Sequence, residues 1–303
     1  MSAPMSADTR SGLWMAAGAF VIWGLMPLYW HLLKHVPSLQ IVAHRVVWCA
    51  ALVSAWLLWK QGRGWLRAIL AQPRLAGLLA LSGLCIGCNW GLYIWAVNAG
   101  HVVESSLGYF INPLLNVVIG TLFLRERLNP LQWTSVAIAA AGVLWLTFRF
   151  GSFPWIALAL ATSFGIYGLI RKIAAVESVA GLGVENLVLL APALAYLVWM
   201  EGSGAGGFFG GWSAATDALL IFGGALTALP LIGFAFAVRR VALSTIGLMQ
   251  YIAPTMQFLI GVLIFREAFD TDRAIGFAII WAALALFAGE GLYRARRGAR
   301  TPV

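Results

Sequence analysis

The sequence predicts an all-α polytopic membrane protein, ten transmembrane helices arranged as a five-plus-five inverted-topology repeat. Three observations lead there. First, 61% of the 303 residues are hydrophobic and only 10% are charged, whereas a soluble domain carries about 25% charged residues. Second, the chain divides into ten apolar stretches, at 13–33, 39–59, 75–97, 103–124, 130–149, 152–171, 180–200, 217–238, 243–265 and 272–291, each close to the ~20 residues that cross a bilayer as a helix. Third, the two halves resemble each other at an offset of 141 residues.

The composition excludes disordered, collagenous and disulfide-scaffold classes, since apolar residues dominate and there are 3 Cys. The stretches are not barrel strands. Runs such as Ala50–Leu58 and Leu78–Leu84 lack the alternating polarity of a membrane β-strand. The first stretch is too long for a cleaved signal peptide, and no small-residue cleavage site or soluble domain follows it. The net charge of +9 reads as loop charge that sets orientation, so no nucleic-acid partner is expected.

The basic residues test the map. With the N-terminus inside, 15 fall on the inner side: Arg10, Lys60, Arg63, Arg67, Arg74, Arg125, Arg127, Arg171, Lys172, Arg239, Arg240, Arg294, Arg296, Arg297 and Arg300. Four fall outside, Lys34, Arg149, Arg266 and Arg273, and Arg45 lies within a span. The asymmetry follows the positive-inside rule and predicts both termini in the cytoplasm, with short tails at 1–12 and 292–303. Segment 61–74 reads as an interfacial helix with Leu66, Ile69 and Leu70 on one face. The glycine-rich segment 202–211 reads as a flexible outer loop. Trp59, Trp65 and Trp212 fit the aromatic belt.

Within the repeat, Pro113/Pro254, Gly120/Gly261, Arg125/Arg266 and Glu126/Glu267 keep the same offset, together with Leu107/Leu248, Ile111/Ile252, Ile119/Ile260 and Leu122/Leu263. The repeats are taken as 13–148 and 154–289. Each holds five spans, an odd number, so the second enters the bilayer from the opposite side. Secondary transporters use this architecture.

Polar groups at membrane depth mark candidate binding residues. Ser105, Tyr109, Asn112 and Asn116 share one face of the fourth span by helical spacing, and side chains of this kind turn toward the bundle or a wet cavity. Pro113 and Pro254 each lack a donor and release the carbonyl four residues earlier, at Tyr109 and Gln250; Gln257 stands where Asn116 stands in the first half. Released carbonyls at this depth line cavities or meet protein partners, and packing kinks remain the other reading. Asn89 and Tyr93 form an i, i+4 pair. Arg45 is a permanent cation near the outer mouth, suited to an anionic group. His44 and Glu185 are carried with it, against a packing histidine and a span-end carboxylate relieved by water. By depth, Arg45 and Glu185 lie too far apart to pair, so each needs its own partner. Trp23 and Trp30 on one face, and Trp48 near His44, suit a small organic ligand. Gly83, Gly87 and Gly91 form a close-packing stripe. Cys85 and Cys88 read as small hydrophobes rather than a metal pair. No catalytic, metal or cofactor site is expected, and no phosphate-binding loop for ATP is present.

The chain resembles the EamA-type transporters of the drug/metabolite transporter superfamily, and within them the RarD group, named for chloramphenicol sensitivity. The residues that carry the resemblance are Ala43-His44-Arg45, Asn89-Trp90, Tyr93-Ile94-Trp95-Ala96-Val97, Glu104, Ser106 through Leu114, Glu126-Arg127-Leu128, Gln132-Trp133 and Gln250 through Thr255. The resemblance covers nearly the whole chain. It implies a ten-helix carrier of the bacterial inner membrane with both termini inside, and it supplies no substrate. The expected partners are the lipid bilayer and a small-molecule substrate, with the oligomeric state left open. The expected function is ATP-independent transport of a small organic solute, metabolite or drug by alternating access; the alternative is a non-transporting scaffold or channel-like protein on the same repeat.

Overall fold

A computed structural model of the chain describes residues 6–99, 101–150, 153–266 and 271–299, leaving aside the side chains of 97–98, 102–106, 150, 273, 291–292 and 294–299. The expectations placed on Glu104, Ser105, Ser106, Glu267 and Arg273, and on the last basic residues, lie outside this description. The described residues form twelve helices and no strand: α1 (Ala7–Leu32), α2 (Ser38–Gln61), α3 (Gly64–Leu70), α4 (Pro73–Asn98), α5 (Val102–Leu122), α6 (Pro130–Phe150), α7 (Trp155–Ile173), α8 (Ser178–Gly202), α9 (Ala214–Val238), α10 (Leu243–Met249), α11 (Ile252–Leu263) and α12 (Thr271–Ala299). Among them, 8 helical stretches are long and apolar enough to cross a membrane, with Leu243–Leu263 counted as one; Leu107–Leu122 and Ala274–Glu290 are shorter apolar helices. This is a multi-pass membrane protein.

Local chemistry explains where helices outrun their apolar stretches. α1 begins at Ala7 because the Ser6 side chain accepts from the Thr9 N–H at 3.1 Å and Asp8 sits in the first turn, where the helix dipole favours a negative charge. α9 begins at Ala214 by the same device, Ser213 accepting from the Thr216 N–H at 3.2 Å with Asp217 in the first turn.

The two prolines behave differently. α5 runs through Pro113 unbroken. The second half breaks between α10 and α11, where the Gln250 carbonyl accepts from the Ala253 N–H at 3.3 Å. That carbonyl has lost its usual partner to Pro254, and a tighter turn replaces the missing bond.

Three surface expectations are corrected. In α3 the buried pair is Trp65 and Ile69, while Leu70 is exposed; Trp65 is not a belt residue but packs on the bare backbone of Gly183. The glycine-rich loop is pinned. Glu201 accepts from the N–H groups of Gly207 and Phe208, Asp217 accepts from that of Phe209, and Gln40 donates to the Ala205 carbonyl at 2.9 Å. Trp212, assigned to the belt as well, is partly buried against Leu33, Val36 and Leu220.

The helices of the first half pack mainly on those of the second. α1 packs on α9 and α11, α2 on α8 and α9, α4 on α7 and α8, α5 on α7 and α10, and α6 on α12. The main core accordingly draws Phe20, Leu57 and Leu79 from one half and Tyr167, Leu182 and Phe234 from the other. The α4 glycine stripe serves one such contact. A Cβ at Gly83 would sit 2.9 Å from the Glu185 carbonyl oxygen and one at Gly87 would strike Leu189, whereas one at Gly91 would meet nothing within 4 Å. The close approach therefore uses two of the three glycines.

This difference is testable. Gly83→Leu should lower the thermal midpoint of the detergent-purified protein, consistent with an overpacking cost of ~1–3 kcal/mol or more, while Gly91→Leu should leave it unchanged. Equal losses at the two positions would refute the α4–α8 contact.

Candidate functional site

Between the halves lies a cavity of about 230 Å³. Helix α1 contributes Phe20, Trp23, Met26, Pro27 and Trp30; α2 contributes Arg45; α4 contributes Ile86, Asn89, Trp90 and Tyr93; α5 contributes Gly108, Tyr109 and Asn112. From the second half come Leu160 and Phe164 of α7, Leu231 of α9, and Gln250, Ala253, Pro254 and Gln257 around the α10–α11 break. The wall is aromatic and amide-rich, and no carboxylate is among its described residues.

Its polar groups are held in place from behind. Asn89 donates to the Leu160 carbonyl at 2.8 Å and to the Ser163 hydroxyl at 2.9 Å. Asn116 donates to Gln250 Oε1 at 2.7 Å, which fixes the Gln250 amide at the break. Gln257 donates to the Trp23 carbonyl at 3.0 Å. That carbonyl stands four residues before Pro27, so Gln257 of the second half replaces the bond that a proline of the first half removed. The Tyr251 hydroxyl donates to the Phe110 carbonyl at 3.0 Å, one residue along from the carbonyl that Pro113 releases. Asn112 Oδ1 is buried with no donor.

Arg45 is the one charge among the described residues of the wall. Its Nε donates to Thr227 Oγ1 at 2.9 Å, and Thr227 in turn donates to the Gly223 carbonyl at 2.7 Å. The guanidinium carbon lies 4.9 Å from the Trp30 ring centre and 5.0 Å from that of Trp90, within cation–π range.

Of the residues singled out from sequence, Arg45, Asn89, Tyr93, Tyr109, Asn112, Gln250, Gln257 and Pro254 come together on this wall. Asn116 lies just behind it. Pro113 is not on the wall; its carbonyl lies close to Gly247, where α5 and α10 cross. His44 faces away, its ring 4.6 Å from that of Phe208. Glu185 is also off the wall, buried beside Arg171 and Ser82.

An aromatic cluster runs from the cavity wall into the core. Trp23 and Phe164 rings are 5.9 Å apart, Phe164 and Phe234 5.3 Å, and Tyr167 stacks on Phe234 at 5.9 Å. Glu185 accepts from the Ser82 hydroxyl at 2.6 Å and pairs with Arg171 at 3.4 Å, both side chains 1% exposed. The carboxylate is thus not relieved by water at a span end. Arg171, counted from sequence among inner loop charges, is its buried partner, and a Cβ at Gly181 would overlap the guanidinium. Arg45 and Glu185 do not pair with each other; each has a partner of its own.

Glu126, in the turn after α5, caps α10. Its carboxylate accepts from the N–H groups of Leu243 at 2.7 Å and Ser244 at 2.9 Å and from the Ser244 hydroxyl at 2.8 Å, and Lys172 lies 3.4 Å away. Burial pushes its carboxyl up. The Ser244 and Leu243 N–H groups, the Ser244 hydroxyl and the Lys172 charge outweigh that and hold it below the ordinary carboxylate range. Lys172 also donates to the Val238 and Val241 carbonyls. Asp8 pairs with Arg240 at 2.8 Å. These contacts join α1, α7, α9 and α10.

A model of the EamA-like transporter family matches residues 10–148. Protein RarD of Streptomyces exfoliatus is 46% identical over 96% of this chain and 92% of its own length. The chain belongs to the EamA-like transporter family. Within it, Protein RarD of Escherichia coli K12 is 42% identical over 96% of this chain and 98% of its own length, and the chloramphenicol-sensitive protein RarD of Pseudomonas aeruginosa is 36% identical over 95% and 97%. These relatives mark the chain as an EamA-type transporter of the RarD group. A crystal structure at 19% identity superposes with a TM-score of 0.69, covering 93% of this chain and 97% of the other, which establishes a shared fold.

Sequence reasoning missed Trp90, Phe164 and the role of Pro27 in this EamA-type wall, and Thr227 as the partner of Arg45. Pro27 was legible by the rule applied to Pro113. Thr227 was not, because only the crossing of α2 and α9 brings it to Arg45.

The Glu126 cap has a pH signature. Its folded-state pKa is depressed, so its stabilisation is complete above the unfolded value, near ~4.3, and disappears as pH falls through the lower folded value. Glu126→Gln should cost about 1.5–3 kcal/mol at neutral pH, and unfolding curves of variant and parent should converge in acid. A gap that does not narrow with pH would show that the carboxylate is not the cap.

Proposed function

We propose that this EamA-type protein is a secondary carrier that moves a small organic solute across the bacterial inner membrane by alternating access. Its ten spans would form inverted repeats at 13–148 and 154–289, with both termini cytoplasmic and the cavity opening outward. The observation that carries the reading is a cavity lined by both halves, with a buried aromatic cluster and the buried Arg171–Glu185 pair packed in the core beside it. A channel needs a continuous path, and a scaffold needs no cavity.

Several features support the inverted repeat. Counting α1, α2, α4, α5 and α6 as the first five spans and α7, α8, α9, α10–α11 and α12 as the second, exchanging corresponding spans leaves the main packing pairs unchanged. The α5–α7 pair exchanges with α1–α11, α2–α9 with α4–α8, and α1–α9 with α4–α7, while α2–α8, α5–α10 and α6–α12 map onto themselves. Arg125 and Arg266, at the 141 offset, both adopt left-handed backbone, with φ of 55° and 54°. The family match over 10–148 is compatible with a repeat boundary near 148.

The substrate would bind among Arg45, Asn89, Tyr93, Tyr109, Asn112, Gln250 and Gln257, with Asn116 positioning Gln250. The Arg171–Glu185–Ser82 cluster would act as the inner gate, because it joins α7 and α8 to α4 of the other half. The cavity is smaller than the roughly 300–1,000 Å³ of drug-sized sites, which favours a small solute.

Two experiments test this reading. Proteoliposomes carrying the protein should show saturable solute flux that Asn112→Ala reduces by about tenfold, while insertion and folded yield persist; flux linear in solute, or an unaffected variant, would defeat the carrier or the site respectively. A C-terminal fluorescent fusion should fluoresce and a C-terminal periplasmic reporter stay silent, and the reverse would overturn the orientation.

A further inference from the structure

The Arg45 guanidinium is placed with unusual precision for a group that has no counter-charge. Its Nε is bonded to Thr227 Oγ1 at 2.9 Å, and its guanidinium carbon lies over the Trp30 and Trp90 rings. The two terminal nitrogens have no hydrogen-bond or ion-pair partner among the described residues. Arg45 lines the cavity, and no Asp or Glu is among the described residues of its wall. A fixed cation with an idle planar fork, with no anion beside it among the described residues, is matched by a carboxylate or another oxyanion arriving from outside.

The rest of the cavity fits the other end of such a ligand. Trp23, Trp30, Trp90 and Phe164 supply apolar faces. Asn112 Oδ1 is an acceptor with no donor, and the Gln257 amide nitrogen is taken up by the Trp23 carbonyl, leaving its oxygen as an acceptor. We infer that the cavity selects a small organic monoanion, its carboxylate forked by Arg45, its apolar body among the tryptophans, and a hydrogen-bond donor of its own toward Asn112. This rests on the carrier reading and narrows its substrate class.

Glu185 and Arg171 satisfy each other, and among the described residues Arg149 pairs with Asp272, Lys172 with Glu126, and Arg240 with Asp8. Arg45, held among aromatic rings, has no such partner.

The test uses the full-length protein in nanodiscs and three probes of one shape: phenylacetate, its neutral isostere phenylacetamide, and the cation phenethylamine, each titrated by calorimetry. Phenylacetate should bind on the order of tenfold more tightly than phenylacetamide, and phenethylamine should bind more weakly than either. Arg45→Gln should remove the preference for acid over amide. Thr227→Val, which keeps the charge but frees Nε, should reduce that preference several-fold, so the test survives if Arg45→Gln fails to fold. Equal affinity for acid and amide, an acid preference that persists in both variants, or no binding by the acid would overturn the assignment. The carrier reading fails separately: acid binding with no saturable flux would remove transport and keep the anion site, and saturable flux of a neutral solute indifferent to Arg45 would do the reverse.

Discussion

A polar group at membrane depth must find a partner in protein, because hydrocarbon offers none. In this chain the partner is repeatedly in the other half. Ser82 bonds Glu185, Glu126 caps α10, Asn116 holds Gln250, Tyr251 reaches the Phe110 carbonyl, Gln257 reaches that of Trp23, and Arg45 bonds Thr227. The same rule shapes the cavity, whose polar wall residues Arg45, Asn89, Gln250 and Gln257 are themselves held by bonds across the halves.

Two regions of the bundle resolve the rule differently. The first neutralises its charges internally, with Glu185 facing Arg171 and Glu126 set at a helix N-terminus beside Lys172. Removing one member of a buried pair costs about 3–5 kcal/mol because the other is left uncompensated, so this region is costly to disrupt piecemeal. Among the described residues, the cavity leaves one cation without a counter-charge and one amide oxygen without a donor.

Much of this was legible in the sequence, for physical reasons that can be named. Apolar length placed the helices, and helical spacing placed Tyr109 and Asn112 on the wall. Depth arithmetic separated Arg45 from Glu185. What could not be read was tertiary. The α10–α11 break has the same proline signature as unbroken α5, and the difference lies in what each helix meets. Arg171 looked like a loop charge until α8 folded back to set Glu185 against it. Trp65 looked interfacial until Gly183 offered it a bare backbone. The glycine-rich loop looked free because its tethers, Glu201 and Asp217, lie outside the glycine run.

The reliance of each half on the other has a consequence for how the protein is made. Ser82 precedes Glu185 by 103 residues, and Trp23 precedes Gln257 by 234. At a synthesis rate of about 5–20 residues per second, the first helices wait roughly 5–20 s for one partner and roughly 10–50 s for the other. During that interval the amides and carboxylates of the first half sit in or beside the bilayer without their native contacts. Biogenesis must therefore shelter an incomplete bundle in the insertion machinery or among lipid headgroups, and a chain truncated after α6 would present the quality-control proteases with the very polar face that the second half exists to cover.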